Sequence, residues 1–284
     1  MIIKAMRYLK ILIETAYKRP KATVSGIKML VPYLQGIGFA NGHCAHPPSS
    51  ANISTGETNP LLSYFSSYTD GPGIWKFLHY FEIYHAHFSR FVGKEVRLME
   101  VGVCGGGSLG MWHQYFGPLS HIYGVDIEPA CSVHRDHKID ILVGDQGDPA
   151  FWRQVRATTP KIDIFIDDGS HYAEHQITTF EEILPHLNPG GVYLCEDILG
   201  MANPFTAYLY GLVAALNSGQ ETEFVKSIDS IHFYPFVGIV QKRSTPREPL
   251  QPARRGNQWP QYMQQYWPEE FAPDGSFVGD LRRS

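Results

Sequence analysis

A chain of 284 residues, 43% hydrophobic and 18% charged, can bury a sizeable core in one large domain or in a domain with appendages. Lys+Arg of 24 against Asp+Glu of 28 gives a net charge of −4, without the basic excess of a nucleic-acid-binding domain or the acidic block of a disordered tail. The four cysteines (Cys44, Cys104, Cys131, Cys195) lack CxxC or disulfide-framework spacing and fit a reducing cytoplasm, and no run approaches the ~18 apolar residues of a membrane span.

Residues 1–92 read as an N-terminal helical and lid region. Met1 to Tyr17 has apolar residues at helical spacing, interspersed with Lys4, Arg7 and Lys10, but no uninterrupted apolar stretch of the kind a signal peptide needs. Its apolar face is expected to dock on this chain or on a second copy, which makes a homo-oligomer the expected assembly. Pro20, Gly36, Gly38, Gly42, Pro47, Pro48 and the Ser-Ser-Ala-Asn-Ile-Ser-Thr-Gly run at 49–56 then predict a loop-rich stretch, part of it folding over the site as a lid. From Trp75 to Phe91 apolar residues return at broadly helical spacing.

Residues 93–242 alternate regularly between strand and helix. Strands are predicted at Leu98–Val103, Ile122–Ile127, Ile139–Val143, Ile162–Ile166 and Val192–Glu196. The helices between and after them are Gly105–Tyr115, Pro149–Ala157, Ala173–Leu187 and Phe205–Leu216. Glu223–Ile228 and Ile231–Gln241 close the unit as a hairpin about Asp229-Ser230. The expected fold class is α/β, a doubly wound, mostly parallel seven-stranded sheet. Residues 243–284, with Trp259 and Trp267 among several prolines, read as a separate C-terminal tail.

Two clusters mark a site. The first is Glu100-Val101-Gly102-Val103-Cys104-Gly105-Gly106-Gly107-Ser108, where the first strand becomes the first helix. Glycines there let backbone approach a ligand closely, and helix-terminal N–H groups offer donors. Asp126 ends the second strand, where an acid can accept two ribose hydroxyls, and Asp145-Gln146 follow the third, placed to meet an adenine edge. Glu100, Gly102, Gly105, Ser108, Asp126, Asp145, Gln146 and Asp167 are therefore the candidate cofactor residues. The glycine spacing departs from the Gly-x-Gly-x-x-Gly of dinucleotide sites, and with the closing hairpin it favours S-adenosylmethionine over NAD.

The second cluster is Asp167-Asp168-Gly169-Ser170-His171, answered by Glu196-Asp197. If the two strands are neighbours, their tips lie roughly 5 Å apart. Carboxylates that close repel unless a cation sits among them. Asp168, Glu196 and Asp197 offer hard oxygen ligands suited to Mg²⁺, and Asp167, pointing the other way, is expected to face the cofactor. His171 is the candidate general base, since an imidazole has a reference pKa of about 6.5. Zinc held by His171 and His175 at helical spacing is a competing reading, and Ser170 reads as a helix cap rather than a nucleophile.

At these residues the chain resembles the bacterial sugar O-methyltransferases that modify macrolide antibiotics, the macrocin and mycinamicin type. The likeness spans about Lys76 to Lys242 and rests on Leu98-Met99-Glu100-Val101-Gly102, Gly105-Gly106-Gly107-Ser108-Leu109, Gly124-Val125-Asp126, Asp167-Asp168-Gly169-Ser170-His171 and Pro189-Gly190-Gly191 followed by Glu196-Asp197. The resemblance implies a class I methyltransferase fold, S-adenosylmethionine, a magnesium ion and transfer to a hydroxyl of a deoxysugar on a natural product. It implies metal carboxylates at Asp168, Glu196 and Asp197 and a catalytic histidine at His171. An iron-dependent hydroxylase using the same donors, and a non-catalytic cofactor-binding scaffold, are the alternatives to test.

Overall fold

The computed structural model describes residues 13, 16–18, 20–43, 59–200, 203–217 and 222–246. The chain forms two compact units, Met1–Glu57 and Thr58–Ser284. Most of the predicted first helix, the 49–56 run and nearly all of the 243–284 tail lie outside the described residues. The first unit holds helix α1 (Pro20–His43), which runs through Gly36 and Gly38, where the sequence predicts loop. Added Cβ atoms at those glycines would meet nothing within 4 Å, so no close approach required them. Ile27, Leu30, Val31 and Leu34 of α1 are exposed. Among the described residues no helix is long and apolar enough to cross a membrane.

The second unit is a seven-stranded sheet. Its strands are β1 (Arg97–Val101), β2 (His121–Asp126), β3 (Ile139–Val143), β4 (Ile162–Asp167), β5 (Leu187–Cys195), β6 (Ile228–Tyr234) and β7 (Val237–Lys242), in the spatial order β3-β2-β1-β4-β5-β7-β6. The first five run parallel, and β7 inserts antiparallel between β5 and β6. The helices are α2 (Pro60–Ser67), α3 (Tyr80–Phe88), α4 (Gly107–Phe116), α5 (Pro149–Thr158), α6 (Ala173–Ile183), α7 (Pro204–Leu216) and the single turn α8 (Glu223–Lys226). Three of them start on an Asx-Pro pair. Asn59, Asp148 and Asn203 each accept first-turn N–H groups, while the following proline sets φ where no donor is needed.

Strand alternation sorts the core into two layers. Leu98, Ile122, Ile164, Leu194 and Ile239 pack with Trp112, Tyr84 and Phe88 of α4 and α3. Met99, Tyr123, Phe165, Tyr193 and Val240 pack on the other face with Trp152, Phe180 and Phe205 of α5, α6 and α7.

Four local expectations are corrected. Residues 73–77 carry no regular structure, and the helix expected from Trp75 begins at Tyr80. Pro185 ends the helical run after α6, so β5 starts at Leu187 where helix was expected to reach. The closing hairpin turns at Pro235-Phe236, not at Asp229-Ser230, with Tyr234 paired to Val237 and Phe236 at φ 63, in the left-handed region that tight two-residue loops use. Asp229 instead falls in a register shift of β6, and Glu223–Lys226 is helical because Thr222 caps it.

Candidate active site

The sheet order places the tips of β1, β2, β4 and β5 along one edge. A cavity of about 1000 Å³ opens there, lined by the glycine turn, Asp126, Asp145, Asp168, His171, His175, Glu196 and Asp197. This size suits a cofactor with a second small molecule. One wall is the segment 73–77, which lies on the glycine turn: a Cβ at Gly107 would collide with the Pro72 and Gly73 carbonyls. The segment brings Trp75, 97% exposed, and Phe77 to the mouth.

At the β1–β2 end the backbone does the shaping. Gly102 has φ +97, and its N–H donates to Val125 O at 2.8 Å; a side chain there would strike the Asp168 carbonyl. Cys104 follows at φ 48 and donates its N–H to Asp126 Oδ2 at 3.0 Å, while Glu128 N–H donates to Oδ1 at 2.9 Å. Asp126 thus fixes the turn and still presents its carboxylate to the cavity. Asp145 lines the cavity too, its Oδ1 accepting from Gly147 N–H at 2.7 Å.

At the β4–β5 end the chemistry is charge. Asp167 pairs with Cys195 across β4 and β5, so the two acidic tips are neighbours and the condition set by the sequence reading is met. Asp168, His171 and Asp197 form a group whose donor atoms lie within 4.8 Å of one another. His171 Nε2 is 3.8 Å from Asp197 Oδ2, and its side chain is 43% exposed toward the cavity mouth. Both His171 (φ 57) and Asp197 (φ 53) are held in the left-handed region, a cost that non-glycine residues bear where a site dictates it. Tyr80 hydroxyl donates to Asp197 Oδ1 at 2.6 Å and accepts from Asp197 N–H at 3.3 Å, which locks the turn.

Asp167 and Glu100 do not line the cavity, whereas Ser108, Gln146 and Glu196 line it with side chains already bonded within the chain. Alternation turns Asp167 into the α5–α6 layer, where it accepts from Tyr193 hydroxyl at 2.8 Å and Gln146 Nε2 at 3.0 Å; burial raises its pKa, opposed by these donors. Gln146 lines the cavity, but its amide is spent internally, Oε1 accepting from Ser170 N–H at 2.5 Å. Glu100 lies under the opposite layer, fully buried, and accepts from Ser108 hydroxyl at 2.6 Å. Ser108 lines the cavity through this bond. Glu196 is 1% exposed and accepts from Tyr84 hydroxyl at 2.7 Å.

The inner carboxylates meet Lys76, which sequence reasoning did not single out. Its ammonium lies 2.5 Å from Asp168 Oδ2, 3.0 and 3.1 Å from the Glu196 oxygens and 3.4 Å from Glu100 Oε1. Burial alone would lower the pKa of this amine, yet Glu196, Glu100 and Asp168 hold it well above the usual value. Burial in turn pushes Glu100 and Glu196 up, with Lys76 opposing. Tyr80 and Tyr84, four apart on α3, donate from one helix face to the acids at the sheet edge; Lys76 joins them from the irregular segment before α3, where helical spacing gives no signal.

The zinc pair does not form. His171 precedes α6 in a left-handed conformation, and His175 turns to Ser170, with Nδ1 3.0 Å from Oγ. Ser170 Oγ also accepts weakly from Tyr172 N–H at 3.4 Å, and Tyr172, not Ser170, is the residue at the α6 N-cap position.

Residues 99–198 match a family model described as a methyltransferase domain. A mycinamicin VI 2''-O-methyltransferase of Micromonospora griseorubida is 32% identical over 260 residues, 85% of this chain and 60% of that protein. An 8-demethyl-8-α-L-rhamnosyl tetracenomycin-C 2'-O-methyltransferase of Streptomyces olivaceus is 34% identical over 203 residues, 61% of this chain and 53% of its own length. The solved MycE methyltransferase from the mycinamycin pathway, in complex with Mg, SAH and mycinamycin VI, superposes with a TM-score of 0.56 at 31% identity, covering 65% of this chain and 53% of that one. The chain spans about half the length of the curated relatives it matches. Strand order gives the sheet unit of this chain the seven-stranded, Rossmann-like fold of methyltransferases, and within it residues 99–198 match the methyltransferase-domain model and are similar in sequence to macrolide and sugar O-methyltransferases.

Proposed function

We propose that this chain is an S-adenosylmethionine- and Mg²⁺-dependent O-methyltransferase acting on a hydroxyl of a sugar or of a glycosylated natural product. The observation that carries the reading is one cavity holding both a glycine turn closed by Asp126 and the Asp168, His171, Asp197 group. The activities of the relatives, O-methylation of a rhamnosyl tetracenomycin and of mycinamicin VI, support the acceptor class.

The residues fit both groups. Asp126 would receive the ribose hydroxyls, with Gly102, Gly105 and the first N–H groups of α4 around the amino-acid end and Asp145 toward the base. Asp168 and Asp197 would hold the metal, with Glu196 in the same cavity wall as the third carboxylate of a hard donor set. Bound there, the cation would supply Lewis acidity that makes an acceptor hydroxyl easier to deprotonate, and the cofactor would supply the methyl group. His171 takes the hydroxyl proton at Nε2, the nitrogen that faces Asp197. Trp75, Phe77 and Tyr172 at the rim exclude water and give a flat apolar platform for an acceptor. One imidazole with three carboxylates is not the two-His, one-carboxylate set of non-haem iron oxygenases, which counts against hydroxylation.

Incubation with methyl-labelled cofactor and a panel of glycosylated acceptors tests the proposal. Turnover should stop with chelator and return with Mg²⁺. His171→Ala should keep cofactor affinity while kcat falls by roughly 10²–10⁴. Chelator-insensitive turnover removes the metal from the mechanism, and an unaltered kcat in His171→Ala removes the base.

Cys104, Cys131 and Cys195 are free thiols, in keeping with a cytoplasmic setting. The exposed apolar residues of α1 support a homo-oligomer, an assignment that a monomer in light scattering would overturn.

A further inference from the structure

We infer that Gln146 is a positioning residue for His171: its buried amide holds the Ser170 N–H and so fixes the left-handed turn from which the imidazole reaches the cavity. This role rests on the reading of His171 as the general base. It gives a task to a side chain that the sequence places against an adenine edge and the fold turns inward.

The imidazole needs such support. His171 Nε2 is 3.8 Å from Asp197 Oδ2, beyond hydrogen-bond reach, so the direction of the ring follows from its backbone. That backbone sits at φ 57, a conformation that persists only where the surroundings over-determine it. Ser170 and His171 are both exposed, so burial in the core does not supply the constraint.

Gln146 supplies it from the loop after β3. Its Oε1 accepts from Ser170 N–H at 2.5 Å, one residue before the strained position. A main-chain N–H can only donate, so this contact alone decides which amide atom faces the turn. Gly169 closes on the same oxygen, and a Cβ there would collide with it. At the other end of the amide, Nε2 donates to Asp167 Oδ1 at 3.0 Å and to Thr179 Oγ1 at 3.3 Å. The main-chain carbonyl of Gln146 accepts from the Trp152 indole N–H at 2.8 Å. With 5% exposure and partners on β4, α5 and α6, the amide is a strut anchored in the core. Downstream, the N–H groups of His175 and Gln176 both donate to Tyr172 O and start α6, so the turn is held from both sides.

The test compares Gln146→Met, which keeps the volume and removes the acceptor, with Thr179→Val, which removes a partner of Nε2 and leaves the bond to Ser170 in place. In Gln146→Met, kcat should fall by about tenfold to a hundredfold, the cost of a misplaced catalytic group. Affinity for S-adenosylhomocysteine, and for Mn²⁺ as the stand-in for Mg²⁺, should stay within about threefold, as for independent sites. Thr179→Val should unfold at a lower temperature while its kcat stays within about threefold. Since Gln146 acts through His171, adding Gln146→Met to His171→Ala should lower kcat by less than about twofold more. A full further loss in that background overturns the inference, as does an equal loss of kcat in Thr179→Val. Cofactor affinity that falls as far as kcat returns Gln146 to the cofactor and overturns it too, and all three results leave the methyltransferase reading standing.

Hydrogen exchange on the unaltered protein, read by NMR, depends neither on a variant folding nor on turnover. The Ser170 amide should be protected by at least about a hundredfold over an unstructured chain although the residue is exposed. An unprotected Ser170 amide overturns the strut. Absence of turnover by the parent across the acceptor panel overturns the reading of His171 as a base and this inference with it.

Discussion

At the β1–β2 end of the cleft the shape comes from backbone: Gly102 at φ +97, Cys104 at φ 48 and two main-chain N–H groups gathered on Asp126. At the β4–β5 end it comes from buried charge, with Lys76, Tyr80 and Tyr84 donating to carboxylates at the tips of β4 and β5. The two constructions fail differently. A backbone-built end tolerates most side-chain changes but not a change of φ, and its parts act nearly independently. A charge-built end is coupled, since removing one partner leaves another buried and unpaired.

The most damaging single change should be the one at the seam. Gly102 belongs to the backbone-built end, but the space its missing side chain leaves is filled by the Asp168 carbonyl of the charge-built end. Gly102→Ala would impose both a strained positive φ and a collision, together about 3 kcal/mol of lost stability. It should abolish S-adenosylhomocysteine binding and weaken Mn²⁺ binding together, measured by calorimetry on protein that still unfolds cooperatively. Loss of one affinity with the other intact would show that the two ends are not joined there.

The sequence carried much of this difference, though unevenly. The acidic tips could be read as neighbours only on the condition that β4 and β5 pair, which they do; β3 and β4, also joined by a single helix, lie with two strands between them, so connection alone does not fix adjacency. The glycine turn and Asp126 were legible because spacing along a β-α-β unit translates directly into position. What alternation left open was which layer each acid enters. Asp167 and Glu100 both looked like cavity residues, yet β4 and β1 turn them into opposite core layers, and only the partners Tyr193, Gln146 and Ser108 reveal it. Lys76 escaped notice because the apolar pattern from Trp75 suggested a helix, whereas Lys76 lies in an irregular segment whose course over the acids no periodicity reports.

Within the charge-built end, Tyr80→Phe isolates a single link. It deletes the 2.6 Å bond to Asp197 without altering volume, leaving a carboxylate in a left-handed turn short of one donor. Hydrogen bonds to charged groups contribute about 1.5–3 kcal/mol, so kcat should fall by roughly tenfold to a hundredfold. Stability should fall by a similar energy, while cofactor affinity stays within about twofold. If cofactor affinity falls as far as kcat, the two ends of the cleft are more tightly bound together than their construction implies.

Asp126→Asn is the mirror experiment at the backbone-built end and the mildest of the three. The amide keeps one acceptor oxygen, so one of the two N–H groups now bonded to Asp126 retains its partner while the other must face an NH₂. The turn itself should survive, because Gly102 N–H to Val125 O and Gly106 N–H to Val103 O hold it from the main chain. What is lost is the paired acceptor for two vicinal hydroxyls, which should weaken S-adenosylhomocysteine binding about tenfold, the loss of roughly one hydrogen bond. Mn²⁺ affinity should not move, since Asp126 contacts none of Asp168, His171 or Asp197 among its hydrogen bonds. An Asp126→Asn variant with weakened Mn²⁺ binding would mean that the field of this carboxylate reaches the far end of the cleft, and charge would then have to be counted over the whole edge of the sheet.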